Sequence, residues 1–275
     1  MQTFKVDLYD YFGIKRRQNA SGYLTAFIAQ PNDFNLNRVR PAMLIIPGGG
    51  YRYVSNAESD TIAFEYLSKG YCAFVLDYSI APASYPTQLL EACMAMIYIR
   101  ENLNEFHICE DMVGAIGFSA GGHLCGCLAT IWNEKEIVNI LGEKAKLARP
   151  DAVVLAYPVV SMDESIAHIG SRNNVTGGNA DLVERLSLEN RVDKNSVPAF
   201  IWATLGDGTV PCENSMRLAM AYKKAGVPFE FHLFERGRHG LALVNRETEK
   251  EVYPAKEWVQ MSHTWLKEKG FDLID

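Results

Sequence analysis

Gly117-Phe118-Ser119-Ala120-Gly121 is the stretch of sequence that decides the fold of this chain. The apolar residues 111–116 before it predict a strand, and the small and apolar residues 122–129 after it predict a buried helix. The glycines two positions on either side of Ser119 keep Cβ atoms out of a cramped turn between these elements. The stretch therefore predicts a nucleophile elbow, with Ser119 at a helix N-terminus and its hydroxyl facing a pocket.

On both sides of the elbow, predicted strands and helices alternate. Strands are expected at residues 42–46, 72–76, 152–156, 199–203 and 229–234, and helices at 59–68, 85–102 and 254–267. Residues 3–9 and 22–29 alternate in polarity and predict two antiparallel edge strands, the second followed by a turn at Pro31-Asn32-Asp33. The predicted fold class is α/β, with a mostly parallel central sheet and helices on both faces. We expect one domain over residues 1–275, with a small polar cap-like insertion at 161–196.

The composition excludes several classes of function. The chain has 275 residues, of which 48% are hydrophobic and 22% charged, as is typical of a soluble globular protein. A formal charge of −6 argues against nucleic acid or an anionic membrane as a partner. Because neither a signal peptide nor a membrane-length apolar run is evident, a cytoplasmic location is expected. The six cysteines are scattered without a C-x-x-C pair, so we interpret them as core thiols and expect no metal site.

Two residues after Ser119 have the order and placement of catalytic partners. Asp207 follows the strand at 199–203 in a turn-rich loop, and His239 follows the strand at 229–234. Serine, then acid, then histidine is the chain order of a hydrolase with a nucleophile elbow. The predicted roles are Ser119 as nucleophile, His239 as general base and then acid, and Asp207 as the group that orients the imidazole. We expect structural or supporting roles for the remaining histidines: His107 and His263 on amphipathic helices, His232 in a strand, His168 in the insertion and His123 on the elbow helix.

A glycine loop follows the strand at 42–46. The run Pro47–Tyr51 contains three consecutive glycines, which let backbone N–H groups approach a ligand closely. We expect Gly49 and Gly50, together with the N–H of Ala120, to form an oxyanion hole. The alternative is a tight turn with no catalytic part.

Several stretches together resemble one family. They resemble the acetylesterase branch of the α/β-hydrolases, an acetyl-xylan-esterase-like branch that is related to hormone-sensitive-lipase-like esterases. The stretches that carry the resemblance are Pro47–Tyr51, Leu76–Pro82, the elbow with Gly122-His123-Leu124, Ser187–Asn190, Asp207–Pro211 and Glu213-Asn214-Ser215. The resemblance implies hydrolysis of short acyl esters, often acetyl groups on sugars, without a cofactor. Four positions depart from the pattern of these relatives: Pro47, Ser79, Ala203 and Gly206.

The predicted function is therefore a serine esterase that cleaves short-chain acyl esters through a Ser-His-Asp triad and an acyl-enzyme. An amide hydrolase, such as a formamidase or small peptidase, would use the same triad, and a non-catalytic ligand-binding protein of this fold is a further alternative. The expected partner is a small-molecule ester, with an acetylated sugar as one candidate, and a homo-oligomer is left open. We expect the polar residues of the insertion at the pocket rim: Asp163, Glu164, Arg172, Asn173, Asn174, Asn179 and Asp181.

Overall fold

An eight-stranded sheet forms the centre of the computed structural model, which describes residues 1–30, 38–248 and 254–274. In chain order the strands are β1 (Gln2–Asp7), β2 (Tyr23–Ile28), β3 (Arg40–Ile46), β4 (Cys72–Asp77), β5 (Ile108–Phe118), β6 (Val153–Ala156), β7 (Ala199–Thr204) and β8 (Phe229–Phe234). Across the sheet they lie in the order β1-β2-β4-β3-β5-β6-β7-β8. The six strands from β4 across to β8 are parallel, while β2 is antiparallel to both of its neighbours. The predicted mostly parallel sheet is thus confirmed.

Helices connect most of these strands. Within the described residues they are α1 (Leu8–Phe12), α2 (Asp60–Ser68), α3 (Thr87–Glu101), α4 (Leu103–Phe106), α5 (Ser119–Thr130), α6 (Lys135–Leu141), α7 (Ile169–Thr176), α8 (Asp181–Leu186), α9 (Glu213–Ala225) and α10 (Trp258–Glu268). None of the described helices is both long and apolar enough to span a bilayer.

The sheet has a separate hydrophobic core on each face. Because successive side chains of a strand point to opposite faces, Leu44 and Ile46 of β3 join one core while Met43 and Ile45 join the other. The first core is covered by α3, α5 and α9, and the second by α2 and α10. Every residue of β3 is buried, as expected for a parallel strand covered on both faces. The six cysteines are free, and all but the half-buried Cys109 are buried.

The N-terminal prediction was only partly right. The first strand ends at Asp7 and not at residue 9, because Asp7 caps a helix: its carboxylate accepts a hydrogen bond from the Asp10 N–H at 3.2 Å. Strand β2 is not an edge strand, since it lies between β1 and β4. His107 lies not on a helix but between α4 and β5, where it has a φ of +52°. The turn predicted at Pro31-Asn32-Asp33 lies outside the described residues.

The parallel strands place their carboxyl ends along one edge of the sheet. Strands β3 and β5 are neighbours there, and β6, β7 and β8 follow in order. The loops that leave these five ends carry the glycine run, Ser119, Asp207 and His239. This edge is where ligands bind in open α/β sheets, so the topology brings the predicted residues to one place.

Candidate active site

Ser119 occupies a sharp turn between β5 and α5. Its φ is +54°, which is unusual for a residue with a Cβ atom. The turn has no room for side chains at the two flanking glycines: a Cβ on Gly117 would lie 2.2 Å from the carbonyl oxygen of Gly121. A Cβ on Gly121 would lie 2.1 Å from the carbonyl oxygen of Ile46. Close packing within the turn therefore explains Gly117, and close packing against the end of β3 explains Gly121, as the cramped turn expected from the sequence requires.

Ser119, His239 and Asp207 form a continuous chain of hydrogen bonds. The Ser119 Oγ lies 2.7 Å from His239 Nε2, and His239 Nδ1 lies 2.6 Å from Asp207 Oδ2. The other oxygen of Asp207, Oδ1, accepts the backbone N–H groups of Thr209 and Val210, both at 2.9 Å. Because a carboxylate only accepts, His239 Nδ1 carries a hydrogen and Nε2 is free to accept the hydroxyl proton of Ser119. The structure thus brings together the three residues that the sequence singled out.

The glycine loop lies beside Ser119 and lines the same cavity through Gly49 and Gly50. Both residues have positive φ values, +124° and +65°. Within the described residues, neither backbone N–H donates to a protein acceptor. Ala120 is fully buried in the first turn of α5, where backbone N–H groups have no partner within the helix. Three N–H groups are therefore available near the Ser119 hydroxyl.

The glycine loop is held in place by hydrogen bonds that run from Tyr51 through His123. The Tyr51 hydroxyl lies 2.7 Å from His123 Nδ1, and His123 Nε2 lies 2.7 Å from the carbonyl oxygen of Leu186. Since that carbonyl only accepts, Nε2 carries the hydrogen and Nδ1 accepts from Tyr51. Complete burial lowers the pKa of His123 to about 4, so its imidazole is neutral at neutral pH. His123 thus links the glycine loop to the segment 161–196.

Sequence reasoning missed a buried carboxylate at this site. Glu58, in a short 3-10 helix (Asn56–Glu58), is 4% exposed and accepts the Gly48 N–H at 2.8 Å. It also accepts the hydroxyl of Tyr157 at 2.7 Å. The Tyr157 ring packs edge-on against His239, with the centroids 5.0 Å apart. No motif marks either residue, because their importance depends on where three separate loops meet.

The cavity at Ser119 has a volume of about 530 Å³. Residues 161–196 contribute His168, Gly170 and Asn174 to its lining. Asn174 donates a hydrogen bond from Nδ2 to the carbonyl oxygen of Gly50 at 2.8 Å, which ties this segment to the glycine loop. His168 Nδ1 accepts the N–H of Ser171 at 3.2 Å, so Nε2 carries the hydrogen. Burial, followed by the nearby His239, lowers the pKa of His168 and keeps the imidazole neutral.

The assignment of His168 as structural therefore needs correction, since its side chain faces the cavity. Of the polar residues assigned to the rim, Asn174 lines the cavity. Several of the others pair elsewhere: Arg172 with Glu164 at 2.6 Å, and Asp163 with Arg217 at 3.1 Å. The sequence alone did not distinguish cavity-lining residues from residues in surface ion pairs, because a polar side chain in a loop can serve in either place. Among the described residues, no three His, Cys, Asp or Glu side chains are grouped to hold a metal ion.

Comparison with known proteins gives matches over most of the chain. Residues 28–222 match the model of the family described as BD-FAE. The chain is 34% identical over 246 residues to endo-1,4-beta-xylanase B of Butyrivibrio fibrisolvens, a match that covers 84% of this chain and 38% of that protein. It is 30% identical over 209 residues to an acetylxylan esterase of Xylanibacter ruminicola, covering 74% and 41% respectively. The matches span about two fifths of the length of these curated relatives.

A solved structure is similar over nearly the full length of both chains. It is the acetyl ester-xyloside bifunctional hydrolase of Caldicellulosiruptor lactoaceticus, which is 35% identical in sequence. The two structures agree with a TM-score of 0.78, over 91% of this chain and 89% of the other.

Proposed function

The chain belongs to the BD-FAE family and has the α/β-hydrolase fold, and on this premise we propose that it is a serine hydrolase of short-chain carboxylic esters, acetyl esters above all. The observation that carries the proposal is the pair of hydrogen bonds at 2.7 Å and 2.6 Å that joins Ser119 to His239 and His239 to Asp207. This chain of contacts lies at a cavity and next to unpaired backbone donors, as acyl transfer requires. We assign the function on that arrangement together with the family.

In the first half of the proposed reaction, Ser119 Oγ attacks the carbonyl carbon of the ester. Its proton passes to His239 Nε2, and Asp207 stabilises the resulting imidazolium through Nδ1. The negative charge that develops on the carbonyl oxygen is received by the N–H groups of Gly49, Gly50 and Ala120. The C–O bond to the alcohol then breaks, His239 gives its proton to the departing oxygen, and an acyl-enzyme remains on Ser119.

In the second half, water replaces the alcohol. His239 removes a proton from water, the hydroxide attacks the acyl carbon, and the same backbone donors receive the oxyanion. Collapse of this intermediate breaks the bond to Ser119 Oγ, which regains a proton from His239. The products are a carboxylic acid and the free alcohol, and no cofactor takes part in either half.

The proposed substrate carries a small acyl group on a hydroxylated alcohol such as a sugar. Polar groups at the cavity, including His168 and Asn174, suit hydroxyl groups better than a long hydrocarbon chain, whose burial is favoured by about 0.8 kcal/mol per CH₂ only on an apolar surface. We assign the segment 161–196 as a cap over Ser119, because His168, Gly170 and Asn174 of this segment line the cavity together with Ser119. The names of the xylanolytic relatives support an acetylated sugar.

Two measurements test the proposal. A fluorophosphonate probe should label the wild-type protein covalently at Ser119 and should not label Ser119→Ala, since labelling requires an activated serine. In a series of p-nitrophenyl esters, kcat/KM should be highest for acetate and should fall beyond butyrate. Matched amides, such as p-nitroacetanilide, should be cleaved far more slowly than the acetate. Absence of labelling, or faster turnover of palmitate or of the amide, would contradict the proposed function.

A further inference from the structure

The buried carboxylate of Glu58 lies between two loops that the proposed reaction uses. Its Oε2 accepts the N–H of Gly48, the residue immediately before the proposed oxyanion donors. Gly48 is required for this approach, since a Cβ there would lie 2.7 Å from Glu58 Oε2. The carboxylate therefore fixes the start of the oxyanion loop directly.

The other carboxylate oxygen connects to the loop that carries His239. Glu58 Oε1 accepts the Tyr157 hydroxyl at 2.7 Å, and that hydroxyl in turn accepts the N–H of Ala242 at 2.9 Å. The Tyr157 ring meets the His239 imidazole at an angle of 69°. One side chain thus joins the loop after β3 to the residues that hold the imidazole.

We propose that Glu58 is a positioning residue, which holds the oxyanion loop and the His239 loop in register and supplies a second negative charge, beside Asp207, to the imidazolium formed during catalysis. This inference rests on the proposed function, because it assigns Glu58 a part in the chemistry of Ser119 and His239.

The hydrogen bonds fit the ionised form of Glu58. Burial raises the pKa of its carboxyl group, whereas the Tyr157 and Gly48 hydrogen bonds and the nearby His239 act in the opposite direction. Gly48 N–H can only donate, and the Tyr157 hydroxyl, which accepts from Ala242, has its hydrogen available for Glu58. Both oxygens therefore act as acceptors, which is the arrangement of a carboxylate.

The charge acts on the imidazolium that forms during the proposed reaction. Glu58 lies close enough to His239 for the two charges to attract each other. Tyr157 lies between them, with its hydroxyl on Glu58 and its ring against the imidazole. Because the imidazolium forms only as Ser119 attacks, loss of the Glu58 charge should lower kcat and leave KM nearly unchanged.

The test compares kcat and KM for p-nitrophenyl acetate in three variants. Glu58→Gln keeps the length of the side chain and removes its charge. We expect kcat to fall by about tenfold or more while KM stays within about twofold of wild type. Glu58→Asp keeps the charge but is one methylene shorter and does not reach both donors. It should lose kcat to a similar extent, again with KM within about twofold.

Asp151→Asn is the control, because Asp151 is a half-buried carboxylate at the amino end of β6, on the opposite edge of the sheet from the cavity. Asp151 accepts hydrogen bonds from the Val113 N–H at 2.8 Å and from Arg100 Nη2 at 2.9 Å. Loss of this carboxylate should lower the melting temperature and leave kcat and KM within about twofold of wild type.

The outcomes separate a role in the reaction from a role in folding. A folded Glu58→Gln protein with wild-type kcat, or with a loss that lies in KM and not in kcat, overturns the proposal. If Glu58→Gln does not fold, Glu58→Asp decides, and a full kcat in that variant overturns the proposal as well. A wild-type protein that neither hydrolyses p-nitrophenyl acetate nor reacts with a fluorophosphonate overturns the proposed function itself, and this result is distinct from a Glu58 variant that behaves like Asp151→Asn.

Discussion

The floor of the cavity is built from strand ends and backbone hydrogen bonds, whereas its roof reaches the site through a few side chains. By the floor we mean Ser119, Asp207, His239 and the glycine loop, all carried by loops at the carboxyl edge of the sheet. By the roof we mean His168, Gly170 and Asn174 of the segment 161–196. Among the described residues, roof and floor are joined directly by the hydrogen bond from Asn174 to the Gly50 carbonyl oxygen.

This difference separates two kinds of control over the reaction. Floor residues are held on several sides, as Asp207 is by two backbone N–H groups and an imidazole, so small displacements there disturb the reacting atoms. In the proposed reaction, the roof residues contact the alcohol part of the ester, because they line the cavity but belong to neither the nucleophile nor its base. Changes in the floor should therefore lower kcat for every ester, and changes in the roof should alter the preference among esters.

The largest effect is expected from the floor residues of the hydrogen-bonded chain. Ser119→Ala, His239→Ala and Asp207→Asn should each lower kcat by about 10⁴-fold or more, because nucleophile, base and orienting acid act as one unit. Ser262→Ala is a matched control, since Ser262 is a fully buried serine on α10, on the far face of the sheet. It should change the melting temperature only. Near-normal turnover by Asp207→Asn would show that another residue orients the imidazole.

A smaller loss is expected for Gly50→Ala. A Cβ there lies 3.5 Å from His168 Cε1, so there is space for it, but the φ of +65° strains a residue other than glycine by about 1–2 kcal/mol. The backbone N–H should shift from the oxyanion, and kcat should fall on the order of 10²-fold. Gly226→Ala carries the same strain, with a φ of +71° at the end of α9 and open space around it. Equal losses of kcat in both variants would make Gly50 a turn residue without a catalytic part.

A roof variant should have a weaker effect. Asn174→Ala removes the hydrogen bond to the Gly50 carbonyl, a contact whose net contribution of about 0.5–1.5 kcal/mol corresponds to a loss of roughly 2- to 10-fold in kcat/KM. The neighbouring Asn173 is exposed and does not line the cavity, so Asn173→Ala should match wild type. Steady-state kinetics on p-nitrophenyl acetate distinguishes the two. Identical kinetics for both variants would mean that the roof does not position the oxyanion loop.

The smallest effect on simple esters is expected for His168→Phe. The neutral imidazole has an Nε2–H that can donate to a hydroxyl group of the alcohol, and phenylalanine keeps the ring but not the donor. KM for an acetylated xylose should rise by about 3- to 10-fold, while KM for p-nitrophenyl acetate should stay within about twofold. Equal changes for both substrates would place His168 in the support of the site and not in recognition of the alcohol.

The floor was predictable from sequence because its signals are local. Three patterns place residues at the sheet edge from short stretches of sequence. They are a strand that ends in glycines around a serine, a strand that is followed by three glycines, and polar residues directly after later strands. Glu58 and His168 gave no such signal, and Asn174 was one of seven polar residues assigned to the rim without a feature that set it apart. The place of Glu58 in the site depends on its hydrogen bond with Tyr157, which lies 99 residues away in the chain. That of Asn174 depends on its hydrogen bond with Gly50, which lies 124 residues away. The end of β1 was misplaced because the cap formed by Asp7 outweighed the alternating polarity of residues 8 and 9.

The hydrogen bond between Ser119 and His239 spans 120 residues of chain, and β6, β7 and β8 lie between them. The serine is therefore unable to react until the last of these strands has docked, even when its own elbow has already formed. A nascent or refolding polypeptide would pass through a stage in which the sheet is largely assembled but the protein does not yet hydrolyse esters. Recovery of turnover after dilution from denaturant would then mark the arrival of β8, later than the recovery of helical circular dichroism.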